Sequence, residues 1–213
     1  MEKMDLRKQY AHLYKASARK PALIDVPELN YLMVDGRGHP ESNPAFQEAM
    51  GALFGISYTL KFHYKMEKGI DWTVMCPEGL WSVPGAKGPA DVARSDKSQW
   101  RWTLMIMQPD LVTPAALHEA RAELVRRHPE QEAAAARVRV ERLEEGTAVQ
   151  MLHVGPYAGE RPTVEKMIAL AEENGCAIAG LHHEIYLSDP RRTAPAKLKT
   201  ILRHPLRKKG EKS

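Results

Sequence analysis

Residues 147–155 read TAVQMLHVG, a largely apolar run that ends in glycine and predicts a β-strand. After a turn, Pro162 opens a segment whose apolar residues recur every three or four positions, as in an amphipathic helix, up to Gly175. The same order of signals occurs at residues 30–36, NYLMVDG, where Pro44 begins the following helix. The chain therefore carries a strand–helix pattern twice.

Two further strand-like runs follow each predicted helix. In the first half, where Gly55 marks the predicted end of the helix, these runs are residues 71–76 and 99–107. In the second half they are residues 181–187 and 197–204. Each half therefore has the order β-α-β-β, and the sequence predicts an α+β fold built from duplicated β-α-β-β modules.

These patterns predict one domain over residues 23–205. Its two modules span about 23–110 and 138–205, joined by a helical connection at 111–137. Residues 1–22 are predicted to form an N-terminal helix and a linker.

The composition excludes several classes of protein. Of the 213 residues, 43% are hydrophobic and 27% are charged, which is too apolar for a disordered chain. No apolar run is long enough to span a bilayer, and the first ten residues lack the apolar stretch of a secretory signal, so we expect a cytoplasmic protein. Cys76 and Cys176 form no C-x-x-C motif, which excludes a disulfide framework and a zinc knuckle. Glycine, proline and aspartate are frequent at 82–98, which predicts a mobile surface loop.

The net charge is mildly basic, at +4. Much of the excess lies near the C-terminus, in Arg203 and in a basic tail over residues 206–213, which we interpret as a solvated chain end. A nucleic-acid-binding arm is the alternative. Because the rest of the chain lacks a broad basic stripe for phosphate contacts, we expect no nucleic-acid partner.

The predicted strand LHHEIYL, residues 181–187, combines three chemically useful side chains. Alternate side chains of a strand share a face, so His182, Glu184 and Tyr186 are predicted to lie together. The opposite face carries Leu181, His183, Ile185 and Leu187. Its three aliphatic residues fit a face covered by a helix, which leaves an imidazole, a carboxylate and a phenol on the other face.

Glu184 is the strongest candidate site residue in the chain. A carboxylate in the middle of a strand is costly unless it is hydrated or paired, and burial would raise its pKa. Such groups often belong to binding or catalytic sites. The alternatives are exposure to solvent or an ion pair with Arg191, Arg192 or Arg203.

The same segment bears on metal binding. His182 and His183 are adjacent in a strand and point to opposite faces, so they cannot share one ion. His182 and Glu184 offer two ligands, but no third ligand follows at a recognisable spacing. We therefore predict no metal and no cofactor.

Aromatic residues are concentrated in the first half. Trp100 and Trp102 lie on the same face of their predicted strand and form a flat wall that suits planar or cationic ligands. Met105 and Met107 lie on the other face and offer an adaptable lining. Alternation does not say which face meets a ligand, and core packing is the alternative for either face.

Five segments of the chain resemble one family. They are PELNYLMVDGRGHP (27–40), MCPEGLW (75–81), WRWTLMIMQPD (100–110), EEGTAVQMLHVGPY (144–157) and HHEIYLSDPRRTAPAKLKTILRHP (182–205). Together they resemble the GyrI-like small-molecule-binding domain family, in its form without a DNA-binding domain.

The resemblance implies a pseudo-twofold pair of modules with a ligand cleft between them, lined by aromatic residues and with an acid at its base. Glu184 matches the carboxylate of the family's pocket. The effector-binding domains of multidrug-sensing transcription regulators are similar, and they hold bulky, often cationic drugs. A stand-alone branch of the family hydrolyses the cyclopropane ring of DNA-alkylating cyclopropanoids.

We therefore expect a protein that binds hydrophobic, aromatic or cationic xenobiotics and that is a candidate metal-independent cyclopropanoid hydrolase. Glu184 would orient or deprotonate water, and Tyr186 or His182 would hydrogen-bond the substrate carbonyl. The predicted aromatic cage is Trp100, Trp102, Trp81 and Tyr64. The alternative is a binding protein without turnover, either a drug sequestrator or a regulator of a partner such as gyrase. No feature of the sequence points to a particular oligomeric state.

Overall fold

The computed structural model describes residues 2–85 and 95–210. The strands are β1 (Glu2–Met4), β2 (Ala22–Val26), β3 (Leu29–Arg37), β4 (Ile70–Trp72), β5 (Pro77–Ser82), β6 (Arg101–Gln108), β7 (Arg139–Leu143), β8 (Gly146–Val154), β9 (Cys176–Ile178), β10 (His182–Tyr186) and β11 (Lys199–Lys208). The helices are α1 (Leu6–Gln9), α2 (Ala11–Tyr14), α3 (Pro44–Lys68), α4 (Pro114–Arg127), α5 (Glu132–Ala136) and α6 (Arg161–Glu173). The predicted α+β class is confirmed.

The chain divides into two compact units, each assembled from separated segments. Unit 1 comprises Met1–Tyr10, Leu29–Pro77 and Lys97–Leu143. Unit 2 comprises Ala11–Glu28, Glu78–Asp96 and Glu144–Ser213. The units therefore differ from the contiguous modules 23–110 and 138–205, because strand pairing places β7 in unit 1 and nearly all of β5 in unit 2.

In unit 1, β3 pairs antiparallel with β6 on one side and with β7 on the other. The long helix α3 is capped by Asn43, whose side chain accepts a hydrogen bond from the Ala45 amide at 3.0 Å. It does not end at Gly55 as predicted but continues to Gly69, which adopts φ 67°. The reason for glycine at position 55 is packing, since a Cβ there would lie 2.9 Å from Leu124 Cδ1 of α4.

In unit 2, an antiparallel sheet has the strand order β2-β8-β11-β10-β5. Helix α6 covers this sheet through a buried apolar cluster of Val149, Met151, Met167 and Leu202. Pro162 lies in the first turn of α6, and the side chain of Asn174 caps the helix C-terminus by donating to the Leu170 carbonyl at 2.8 Å. These ends agree with the predicted helix.

Several predicted segments differ from the structure. The predicted strand 71–76 is replaced by β4 and β5, and β5 pairs with β10. The tail assigned to 206–213 begins inside β11, which continues to Lys208 because residues 206–208 pair with β9. Residues 86–94 of the predicted mobile loop and residues 211–213 of the tail lie outside the described residues. None of the helices in the described ranges has the length and hydrophobicity that a bilayer crossing requires.

Candidate functional site

Strand β10 lies between β5 and β11, and its two faces carry different polar groups. Glu184 is only 7% exposed, which removes solvent exposure as an explanation for a mid-strand carboxylate. Ile185 is fully buried on the opposite face, whereas Leu181 and Leu187 flank the strand and are exposed. Within β10, Ile185 is therefore the one aliphatic residue of the predicted apolar face, and it shares that face with His183.

His182 bridges two carboxylates. Its Nε2 atom lies 3.1 Å from Oε1 of Glu184 and 3.6 Å from Oε2 of Glu160. All three side chains are about one-tenth exposed, at 10% for His182 and Glu184 and 11% for Glu160. We call these residues the Glu160–His182–Glu184 cluster. Glu184 therefore has His182 as a cationic partner.

Glu160 is the site residue that the sequence did not reveal. It directly precedes the first residue of α6, in a turn that has no strand or helix periodicity to assign it a face. Its Oε1 atom is buried and has no hydrogen-bond partner among the described residues. The fold of the turn, rather than any motif, brings this carboxylate to His182.

The cluster shifts the proton affinity of its members. Burial and the negative charge of Glu184 raise the pKa of Glu160 to about 7. Burial alone would lower the pKa of His182, but hydrogen bonds and charge from Glu160 and Glu184 outweigh it and raise that pKa to about 9. At neutral pH, His182 is therefore a cation, and Glu160 can hold or release a proton.

His204 of β11 fixes the orientation of the His182 ring. Its Nε2 atom lies 3.0 Å from Nδ1 of His182. Burial and the positive charges of His182 and His183 keep the pKa of His204 well below its usual value, so its ring is neutral. Because His182 is cationic, its Nδ1–H donates to His204, and its Nε2–H points toward the carboxylates.

Aromatic groups border the cluster. The indole Nε1 of Trp81 donates to the hydroxyl of Tyr186 at 3.0 Å, and the ring of Tyr157 meets that of Tyr186 edge-on at 6.0 Å. Gly79 makes this contact possible, because a Cβ there would lie 3.0 Å from both Trp81 Nε1 and the Tyr186 oxygen. Burial and the charge of Glu184 raise the pKa of Tyr186 well above 10, so its hydroxyl remains a donor.

The opposite face of β10 holds a second charged network. His183, which is fully buried, lies 2.9 Å from Glu78 Oε2 through Nε2 and 3.0 Å from Glu145 Oε1 through Nδ1. Tyr14 donates to Glu78 at 2.6 Å, and Arg203 donates to Glu145 at 3.0 Å. This network joins β10 to its neighbours and pins the strand that carries the cluster.

Arg203 is not the solvated residue that the sequence predicts. It is 1% exposed, and besides Glu145 it donates to Gln150 and to the Leu13 carbonyl. Burial would raise the pKa of Glu145, but the charges and hydrogen bonds of His183 and Arg203 lower it to about 2. Arg203 therefore serves as a structural counter-ion on the face away from Glu184.

The structure brings together one group of the predicted site residues. Glu184, Tyr186, His182 and Trp81 all lie in unit 2, on β10 and β5. The other predicted residues lie in unit 1; they are Tyr64, Trp100, Trp102, Met105 and Met107.

In unit 1, the two tryptophans of the predicted wall differ in burial. Trp102 is 2% exposed and packs so closely over Gly36 that a Cβ there would lie 2.0 Å from its ring. Phe46 meets it edge-on at 5.2 Å. Trp100 precedes β6, with Lys97 Nζ 5.5 Å from its ring centre. Trp102 is therefore a core residue, whereas Trp100 is half-buried beside Lys97.

The remaining predicted residues of unit 1 are buried. Met105 is fully buried, and Met107 is 2% exposed. Tyr64 is 5% exposed, and its hydroxyl donates to the Leu111 carbonyl at 2.8 Å. Burial and the charge of Glu119 raise the pKa of Tyr64.

The chain is similar to two solved structures from Listeria innocua. No curated protein matches it. An uncharacterized conserved protein from Listeria innocua is 39% identical, with a TM-score of 0.86 over 96% of this chain and 100% of that chain. A hydrolase from the same organism is 38% identical, with a TM-score of 0.84 over 96% of this chain and 100% of that chain.

A more distant structure has the same fold. The C-terminal domain of EcmrR is 14% identical, with a TM-score of 0.52 over 89% of this chain and 98% of that chain. The family model of the GyrI-like small molecule binding domain matches residues 102–207. Because this family model matches and the Listeria relatives align over the whole of their chains at 38–39% identity, the chain belongs to the GyrI-like family and carries its small-molecule-binding domain.

Proposed function

We propose that this protein is a small-molecule hydrolase whose acid–base groups are the Glu160–His182–Glu184 cluster and Tyr186. The observation that carries the proposal is a buried Glu184 held 3.1 Å from a cationic His182, in reach of a second carboxylate with a pKa of about 7. Groups with separated proton affinities in one site can both accept and donate protons near neutral pH. The 38% identity to the Listeria hydrolase over its full length supports this assignment.

The substrate class that we propose is a planar, electrophilic xenobiotic, specifically a DNA-alkylating cyclopropanoid. Tyr157 and Tyr186 are partly exposed and place aromatic surface beside the acid–base groups, with the buried Trp81 supporting Tyr186, and such a surface favours flat conjugated ligands. A strained ring conjugated to a carbonyl needs little covalent help from a protein, because positioning and proton transfer supply most of the catalysis.

The proposed step adds one water across one ring bond. The water oxygen bonds to a cyclopropane carbon, the ring C–C bond breaks, and its electron pair moves through the conjugated system onto the carbonyl oxygen. Glu184 takes the proton from the water. Tyr186 donates a proton to the carbonyl oxygen and recovers one from the neighbouring Glu184, so the protein returns to its starting state.

Incubation with a cyclopropanoid alkylator in ¹⁸O-labelled water tests this function. We expect a ring-opened product that carries one labelled hydroxyl, detected by mass spectrometry. Glu184→Gln should lower its rate at least about a hundredfold, because the base is lost while the side-chain shape is kept. Glu173→Gln, an exposed position at the end of α6, is the matched control and should keep the wild-type rate. Equal rates in the wild type and Glu184→Gln would refute the proposal.

Binding without turnover is the second candidate, and the family match, which names small-molecule binding only, favours it. The same incubation separates the two functions. Saturable quenching of tryptophan fluorescence by the alkylator, without labelled product, would establish a drug-sequestering protein.

A further inference from the structure

The Glu160–His182–Glu184 cluster has the donor set of a metal site. One oxygen from each carboxylate and a ring nitrogen of His182 all lie within 4.8 Å of one another. Two of the separations, 3.1 and 3.6 Å from His182 Nε2, are close to the spacing between ligand atoms around a single ion. An imidazole with two carboxylates suits zinc and neighbouring divalent transition metals better than it suits Ca²⁺ or Mg²⁺.

A second observation points to a missing ligand. Glu160 is 9% exposed, yet its Oε1 atom has no hydrogen-bond partner among the described residues. Buried carboxylate oxygens are normally satisfied, so an unpartnered one beside a second buried carboxylate is costly. A cation held between the two carboxylates would remove that cost.

The outer contacts of the cluster are those of a ligating histidine. His182 uses Nδ1 to donate to His204 at 3.0 Å, which directs Nε2 at the two carboxylates. Ligating histidines almost always donate their second ring N–H to an outer acceptor, usually a carboxylate, a backbone carbonyl or water, and the His204 ring takes that place here.

From these contacts we infer that Glu160, His182 and Glu184 bind one divalent transition-metal ion of the zinc class. Two ionised carboxylates and a neutral imidazole carry a charge of −2, which a divalent ion cancels. Three protein ligands leave a coordination position for water, as in zinc sites that are not purely structural. The acid–base roles proposed above belong to the metal-free cluster, and this inference requires no turnover.

Co²⁺ titration of the full chain, without an affinity tag and after chelator treatment, tests the inference. We expect visible d–d absorption that saturates at about one ion per chain and is displaced by Zn²⁺. Calorimetric titration with Zn²⁺ should give the same stoichiometry of about one ion per chain. His182→Gln and Glu160→Gln should each weaken binding at least about tenfold.

His63 provides a matched control. It contacts Glu67 at 2.8 Å and Glu119 at 3.8 Å, the same donor types, but on a surface where the two carboxylates are more than half exposed. His63→Gln should leave the Co²⁺ absorption unchanged. Absence of that absorption, its loss in His63→Gln, or its persistence in both cluster variants would overturn the inference.

Two features keep the test decisive. Glu160→Gln preserves side-chain shape at a position whose Oε1 has no partner to lose, so it answers the question even if His182→Gln does not fold. Failure of this inference is also distinct from failure of the proposed function. Chelator-treated protein that hydrolyses the alkylator but shows no Co²⁺ absorption on titration refutes the metal site alone. Protein that shows the Co²⁺ absorption, but does not hydrolyse the alkylator in its metal-free form, refutes the hydrolase alone.

Discussion

Replacing Glu145 with glutamine should strongly destabilise unit 2. The side chain of Glu145 is 4% exposed and lies 3.0 Å from both His183 Nδ1 and Arg203 Nη1. Its pKa falls from 4.5 to about 2 on folding. At about 1.4 kcal/mol per pKa unit, this shift corresponds to about 3–4 kcal/mol of stability at neutral pH. Removing one partner of a buried ion pair has a similar cost.

The pH dependence of this contribution follows from its sign. Because the folded-state pKa of Glu145 is depressed, the contribution is fully present above pH 4.5 and disappears as the pH falls toward about 2. The difference in unfolding free energy between the wild type and Glu145→Gln should therefore be largest near pH 7 and shrink below pH 4.5.

Urea unfolding at pH 7, 5 and 3 measures this difference. Glu144→Gln, at the adjacent exposed position, is the control and should change the unfolding free energy by less than about 0.5 kcal/mol. If Glu145→Gln costs less than about 1 kcal/mol at pH 7, or if its cost does not decrease on acidification, then the buried network does not stabilise the fold as argued.

Three further substitutions test other parts of the structure. Gly36→Ala places a Cβ 2.0 Å from the Trp102 ring and should cost about 1–3 kcal/mol in thermal unfolding. Gly51→Ala, an exposed position of α3 with nothing within 4 Å of the added Cβ, should instead stabilise the protein by about 0.5–1 kcal/mol, and a loss would contradict the local geometry. Tyr186→Phe removes the hydroxyl that accepts the Trp81 N–H at 3.0 Å, which should cost about 1–2 kcal/mol. It should also lower turnover of the alkylator at least about tenfold in the mass-spectrometric assay, and an unchanged rate would remove the hydroxyl from the mechanism.

The two faces of β10 have different roles, one in the stability of the fold and the other in the candidate site. On one face, His183 is fully enclosed by Glu78, Glu145 and their partners, and this network is closed to ligands. On the other face, His182 and Glu184 keep about one-tenth of their surface exposed and face a carboxylate that lacks a full set of partners. His183 therefore belongs to the network that stabilises the fold, whereas the adjacent His182 belongs to the candidate site.

Local patterns were sufficient to predict the features that depend on near neighbours in the sequence. Alternation along residues 181–187 placed His182, Glu184 and Tyr186 on one face, because side chains of a strand alternate regardless of what pairs with it. Pro162 and Gly175 predicted the limits of α6, since these residues act on backbone geometry within one turn.

Contacts between residues far apart in the sequence determined the other features of the site and the core. Glu78 and Glu145 lie 105 and 38 residues from His183 in the sequence. Contacts over such separations do not follow from the periodicity of hydrophobic and polar residues. The register that sets Gly79 opposite Glu184 also brings Trp81 to Tyr186, and it results from hydrogen bonding between strands that are far apart in the chain. Likewise, alternation assigns Trp102 to a face, but only packing over Gly36 determines that this face is buried. The amino-acid pattern specifies which side chains share a face, and the tertiary structure determines what each face meets.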